Sequence, residues 1–223
     1  MDRTLQLIDR ASVEDVRTYL SRARAVDDDG AVRFQAVGGA VGIWTCALAK
    51  QGLLDATPTV LGLRTAGLAR ASDLDAVVAL GAVLDRMPRA DEEDPVLRLP
   101  PHDAQAAWAG ISPSLTGWRT VADVPAQQLV SAAREGIEEV ARTVPVDSGQ
   151  EMVDRVRSGV WGRVPDWGRA GEGDDAVQLP CGAAFAAWSL GFLRADDDSR
   201  IPVALHGAWS RLTCPGGFVL VRR

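Results

Sequence analysis

The sequence predicts an α+β fold, two antiparallel β-meanders with packed helices, and three observations carry that prediction. The run from Val32 to Arg70 is dominated by β-branched and apolar residues, with Gly38-Gly39 between Val32–Val37 and Ala40–Leu48. A glycine pair between two such runs is a tight-hairpin signal. A second set of strand-like segments, Val203–Leu205, Ala208–Cys214 and Phe218–Val221, is joined by His206-Gly207 and Pro215-Gly216-Gly217. Each meander is preceded by a helical stripe: Val13, Val16, Leu20 and Ala23 in the first half, and Val130, Ala133, Ile137 and Val140, step for step, in the second. Residues at that spacing share one helix face.

Taken in order, Thr4–Ile8 is a short strand with Leu5 and Leu7 on one side. Ser12 is placed to cap the helix Ser12–Val26, with Asp15 at the capping-box position. The first meander consists of Val32–Val37, Ala40–Leu48 and Val60–Leu68. Within Asp73–Arg89, Asp75–Ala79 reads as a strand that leads into a short helix, Leu80–Met87, with a single longer helix as the alternative. Val96–Pro101 reads as a strand closed by two prolines, and His102–Ala109 as a short helix capped by His102-Asp103. In the second half, Trp118–Ala122 is a strand, and Gln127–Thr143 and Gln150–Val160 are helices. Asp166–Asp175 is a mobile Gly-rich loop, and Gly182–Leu193 is apolar all round and hence a buried helix. The division expected is a first lobe 1–101, a link 102–117 and a second lobe 118–223, with one compact domain as the alternative. Whether the halves form a strand–helix–meander pseudo-repeat is left open, because any amphipathic helix shares that stripe.

Composition removes several function classes. The 223 residues carry a net charge of −6, and Lys50 is the single lysine among dispersed arginines and acids. No basic stripe is present to neutralise a phosphate backbone, so direct nucleic-acid binding is not expected. No apolar run reaches the roughly 20 residues of a membrane span, and the N-terminus lacks the order of a signal peptide; the expectation is a cytoplasmic protein. Cys46, Cys181 and Cys214 form no CxxC pair, and His102 and His206 are the two histidines, so no metal centre is expected. None of the glycine pairs has the spacing of a phosphate loop, so no cofactor is expected.

Two groups of residues are candidates for function. Cys181, in Leu179-Pro-Cys-Gly, falls at the start of the buried helix, where free N–H groups can lower a thiol pKa, and His206 is a candidate base. The alternative is a small thiol packed beneath the helix start. Trp161, Arg163 and Trp167 lie in a polar stretch and are candidates for contact with a partner; the alternative is a fold-back over a long loop.

The order strand Thr4–Ile8, helix Ser12–Val26, meander resembles the unit from which DNA sliding clamps are built, over Thr4 to Met87 and again from Trp118 to Val221. That resemblance implies a β-rich sheet with helices on one face and assembly with partners. It does not extend to encirclement of DNA, since extra helices interrupt the second half and Ser12–Val26 has no one-sided basic face. With its excess of Ala, Arg, Asp, Gly and Val over Lys and Asn, the chain also resembles uncharacterised proteins of high-GC bacteria. The missing catalytic constellations point to a non-enzymatic module that binds another protein or itself. The alternatives are a cysteine-dependent hydrolase or transferase using Cys181 and His206, and a clamp-like scaffold.

Overall fold

Alternation of Leu5 and Leu7 with polar neighbours starts the chain as a strand, and the same local rules generate most elements that follow. The structure, a computed structural model, describes residues 3–50, 55–87, 94–114, 116–145, 149–170, 173 and 176–222. The fold is mixed α+β, and the strand pairs are antiparallel. The chain divides into two units, Met1–Cys46 with Leu63–Ser112, and Ala47–Gly62 with Pro113–Arg223. Among the described residues no helix is long and apolar enough to cross a membrane.

In the first unit, β1 (Thr4–Gln6) leads into α1 (Arg10–Val26), whose stripe Val13, Val16, Tyr19, Leu20, Ala23 and Val26 is buried as the spacing requires. The helix begins earlier than expected. Asp9, not Ser12, is the cap, and its Oδ1 accepts from both the Ser12 backbone N–H (2.8 Å) and the Ser12 hydroxyl (2.7 Å). Either residue type can cap a helix, and Asp9 offers a charged acceptor to the first turn. Asp15 is thereby released from capping and pairs with Arg64, its Oδ2 2.6 Å from Arg64 Nε. The Tyr19 hydroxyl lies 2.8 Å from Thr45 Oγ1 in the interior.

The expected hairpin at Gly38-Gly39 does not form. β2 (Ala31–Leu48) runs straight through the pair. Val32, Phe34 and Ala36 are buried before it, and Val41, Ile43, Thr45 and Ala47 after it. The inward positions therefore switch from even to odd numbers, the effect of a one-residue shift in a period-two strand. Gly38 absorbs the shift at φ 59°, a left-handed conformation that glycine adopts without a Cβ penalty. The meander is consequently made of β2, β3 (Thr59–Ser72) and β4 (Asp75–Ala79), in the order β4-β2-β3 within this unit. Arg33 on β2 grips Asp75 on β4 through Nε–Oδ1 at 2.7 Å and Nη2–Oδ2 at 2.6 Å, and its Nη1 donates to Ala109 O at 2.8 Å. β4 turns directly into α2 (Leu80–Leu84), and β5 (Val96–Arg98) pairs with β1 as a separate two-stranded sheet. The helix expected over His102–Ala109 is reduced to a single 3-10 turn, Ala107–Gly110. Asp103 pairs with Arg3 instead of capping.

In the second unit β6 (Arg119–Pro125) enters α3 (Ala126–Thr143) without a loop. After α4 (Gln150–Trp161) come two short strands, β7 (Arg169–Ala170) and β8 (Val177–Gln178), paired with each other. The loop expected over Asp166–Asp175 therefore holds a 3-10 turn, Asp166–Gly168, and one strand of a small ladder, and residues 171, 172, 174 and 175 lie outside the described residues. α5 (Cys181–Ser189) is buried all round from Gly182 to Ala187, as its composition implies. The chain closes with β9 (Arg200–His206), β10 (Trp209–Cys214) and β11 (Gly217–Arg222). The strand order here is β3-β11-β10-β9-β6, with the first residues of β3 at one edge.

The matched helical stripe is buried at its first two positions, half-buried at Val140 and open at Ile137. Val130 and Ala133 are buried, but Ile137 is 39% exposed, and Gly136 occupies the inward place. Trp161 is the reason. A Cβ on Gly136 would stand 2.3 Å from Cζ3 of that indole, so only glycine lets the ring seat against α3.

Candidate functional site

The sequence candidates Cys181, His206, Trp161, Arg163 and Trp167 lie in the second unit. Cys181 is the first residue of α5 and is half-buried. Its backbone N–H donates to Arg163 O at 2.8 Å, and that of Ala183 to Pro180 O at 2.9 Å, so both are already engaged. Burial raises the thiol pKa above its ordinary value; the Arg163 guanidinium opposes this, and Glu139 and Glu135 add to it. A raised pKa leaves less thiolate at neutral pH, the reverse of what a nucleophile needs. His206 stands in another environment. Its Nδ1 donates to Gly117 O at 3.0 Å, and its ring lies 5.7 Å from that of Trp118. Cys181 and His206 thus have different neighbours, and the structure does not assemble them as a nucleophile and base. His102 is exposed in a bend.

The trio Trp161, Arg163 and Trp167 is also divided. Trp161 is 2% exposed and stacks on Phe185 with centroids 4.4 Å apart at 23°. It is a core residue, correcting its place among partner contacts: the polar neighbours in sequence turn outward while the indole fills the gap over Gly136. Arg163 is exposed and paired to Glu139. Trp167 is half-buried beside the turn Asp166–Gly168. Of the other tryptophans, Trp44 and Trp209 are buried, and Trp188 is half-buried, with the Arg134 guanidinium 4.7 Å above its ring.

A different cluster emerges on the face of β10 opposite Leu212, where Trp209, Ala204 and Leu220 are buried and Arg211, Thr213 and Phe218 are partly open. Paired residues of antiparallel strands point to the same face. The register Trp209↔His206, Arg211↔Leu220 and Thr213↔Phe218 therefore gathers His206, Arg211 and Phe218 on one side, while Leu212, Val203 and Val219, all fully buried, face the other. Trp118, just before β6, folds over the same surface. The Arg211 guanidinium carbon lies 4.6 Å from the Trp118 ring centroid and 5.5 Å from that of Phe218. Both distances are within cation–π range.

Arg211 is electrically unusual. Its Nε is buried without a hydrogen-bond partner, and among the described residues no carboxylate or other acceptor meets the guanidinium. Burial alone pulls its pKa below the usual arginine value. Side chains of arginine placed as Arg33, Arg64 and Arg200 are in this chain each meet an aspartate. Arg211 instead presents an unsatisfied cation between two rings. Chemically the arrangement can accept an anion or a carbonyl at the guanidinium. Among the described residues, no group of three or more His, Cys, Asp or Glu side chains converges as a metal site would need. Sequence reading passed over Arg211 because its partners come from separate elements. The available signal was an arginine at an outward strand position, two residues from Trp209 and across from a run containing Phe218.

Comparison with known proteins gives two family matches and a structural one. Residues 1–110 match a domain of unknown function (DUF8010), and residues 113–223 match a domain of unknown function (DUF8185). No curated protein matches the chain. Among solved structures, the chain is similar to the DNA polymerase III subunit beta from Pseudomonas aeruginosa, with 12% identity and a TM-score of 0.48. That alignment covers 100% of this chain and 64% of the subunit, so the chain spans less than two thirds of its length.

Proposed function

We propose that this chain is a cytoplasmic binding module rather than a catalyst, and that it docks a partner protein through Arg211 and the rings of Trp118 and Phe218. The observation that carries this reading is the half-buried guanidinium with a buried, unpartnered Nε between two aromatic side chains. Arginine and tryptophan are the residue types in which interface energy concentrates. Here the cation has already lost part of its hydration, and its stem is held by the rings. A partner carboxylate or carbonyl then gains a charge-assisted hydrogen bond with little further ordering cost.

The test is affinity capture from native lysate with wild-type protein, Arg211→Ala and Arg211→Glu, alongside light scattering and circular dichroism. Loss of such an anchor costs about 2 kcal/mol or more, roughly a thirtyfold weakening. The expected result is a partner retained by wild type and lost by both variants, whose circular dichroism is unchanged. If both variants retain the same proteins as wild type, or if wild type is a strict monomer that retains nothing, the reading fails. Self-association, and with it the clamp-like scaffold implied by the element order, is the outcome in which wild type scatters as a defined oligomer and Arg211→Glu as a smaller species.

A further inference from the structure

The first unit contains a cleft of about 430 Å³ lined by Arg3, Thr4, Leu5 and Gln6 on β1, Arg70, Ala71 and Ser72 on β3, and Val96, Arg98 and Leu99 at β5. Its origin lies in the strands. β1 and β3 meet at an antiparallel bridge, Leu7↔Leu68, closed by Ile8 N–H to Gly67 O at 3.3 Å. Continued in register, that bridge would pair Thr4 with Ala71 and Arg3 with Ser72. The ladder does not continue: β1 pairs in a sheet with β5 alone. The residues that line the two long walls are the ones the missing ladder would have joined. The cleft is therefore a splayed strand pair, closed at Leu7–Leu68 and open toward Arg3.

The edge of β1 that faces this opening can be identified. Leu99 N–H donates to Arg3 O at 2.8 Å and Leu7 N–H to Pro95 O at 2.9 Å. Residues 3, 5 and 7 thus turn their backbone groups toward β5, and in an antiparallel strand the alternate residues Thr4 and Gln6 turn theirs the other way, into the cleft. Leu5 and Leu99 provide a buried apolar floor. Thr4↔Arg98 is a directly opposed pair, which places Arg98 at the rim. Arg3 is already engaged by Asp103, Pro100 O and Pro101 O. Arg70 and Arg98 are exposed, and among the described residues neither has a carboxylate partner. The Leu7↔Leu68 bridge takes up the Gln6 carbonyl at the closed end, and the edge opens from there toward Thr4. In a chain of net charge −6, two arginines with no carboxylate partner among the described residues beside that edge are a local reversal of sign.

We propose that this cleft receives an extended acidic segment of a partner protein, added as a strand against the Thr4–Gln6 edge with its carboxylates on Arg70 and Arg98. Strand addition supplies main-chain hydrogen bonds that do not depend on sequence, and alternate side chains supply the selectivity. Arginine suits the second task because its fork accepts a carboxylate in two parallel bonds. This site shares no residue with the Arg211 cluster and is tested by itself.

The probe is a fluorescein-labelled peptide Glu-Val-Glu-Val-Glu-Val, read by fluorescence anisotropy with wild-type protein. Three arms accompany it: the Gln-for-Glu peptide, the Glu peptide N-methylated at alternate backbone positions, and citrate as competitor. The protein variants are R70A/R98A and, as a charge control on α4, R155A. Saturable binding is expected to weaken at least tenfold in R70A/R98A, with the Gln peptide, and in at least one of the two N-methyl registers, and to be unchanged in R155A. Binding at equal strength by the Gln peptide or by R70A/R98A would overturn the assignment of Arg70 and Arg98. Equal binding by both N-methyl registers, with citrate displacing the peptide at the peptide's own affinity, would reduce the cleft to a small-anion site and overturn strand addition. Absence of saturable binding to the wild-type protein overturns the proposal altogether.

Discussion

Gly136→Ala should destabilise the protein, although it replaces a glycine inside a helix by the best helix former. The added Cβ would meet Trp161 at 2.3 Å from Cζ3 and 2.5 Å from Cη2, against the roughly 3.5–4.0 Å at which carbon atoms rest. The indole has to retreat by more than about 1 Å by that comparison, yet it is 2% exposed and stacked on Phe185. Overpacking of this kind costs about 1–3 kcal/mol, and the gain in helix propensity returns about 0.8–1.0 kcal/mol. For a ring as enclosed as this one the steric cost wins, by up to about 2 kcal/mol net. The sign reverses once the obstacle is shortened. In a Trp161→Phe background the ring withdraws from Gly136, and the same substitution should stabilise by up to about 1 kcal/mol. The cycle coupling is then the steric cost itself, about 1–3 kcal/mol. Urea unfolding of the four proteins, followed by far-ultraviolet circular dichroism and extrapolated linearly, measures it. Equal effects of Gly136→Ala in both backgrounds, within about 0.5 kcal/mol, would refute the argument that Trp161 forces glycine at this position.

Other outcomes follow from the same packing. Gly38→Ala should lose about 1 kcal/mol because L-residues resist φ 59°, while Gly39→Ala, also in open space but without positive φ, should be nearly neutral in the same urea assay. Thr45→Val should cost about 1–3 kcal/mol by leaving the buried Tyr19 hydroxyl without that partner; adding Tyr19→Phe should recover most of the loss. Iodoacetamide should label Cys181 in the native protein more slowly at pH 8 than a free thiol, and spare Cys214, whose burial pushes its pKa up to about 12; faster labelling of Cys181 would reopen the enzyme reading. Arg33 holds the Asp75 carboxyl below its ordinary pKa. A depressed folded pKa contributes stability above the unfolded value, 3.8, that is lost as pH falls through the folded one. Asp75→Asn should therefore cost up to about 1 kcal/mol at pH 7 for this partly exposed pair, and the difference from wild type should shrink on acidification below pH 3.8.

What the sequence determined was whatever depends on a few neighbouring residues. The α1 stripe, the all-round burial of α5 and the three C-terminal strands each follow from periodicity and from Gly or Pro at the right places, because side-chain direction along a regular backbone is fixed by geometry. Where one local pattern admits two structures, the tertiary partner made the choice. Gly38-Gly39 suits a hairpin as well as a kink inside one strand, and β2 runs through the pair as one strand beside β3. Asp9 and Ser12 can each cap α1, and Asp9 serves while Asp15 turns to Arg64. Ile137 has the inward phase of its helix, yet Trp161 takes that space and Gly136 yields it. The candidate sites were the least legible part. Cys181 and His206 satisfied a rule about residue types, but catalysis is a matter of distance, and the fold gives them different neighbours. Arg211 meets Trp118 and Phe218 through the register of β10 with β11 and a loop before β6. The cleft at Arg70 and Arg98 exists because β1 leaves β3 after a single bridge. Both depend on which strands lie side by side, which is decided by long-range burial and not by any segment of the chain alone.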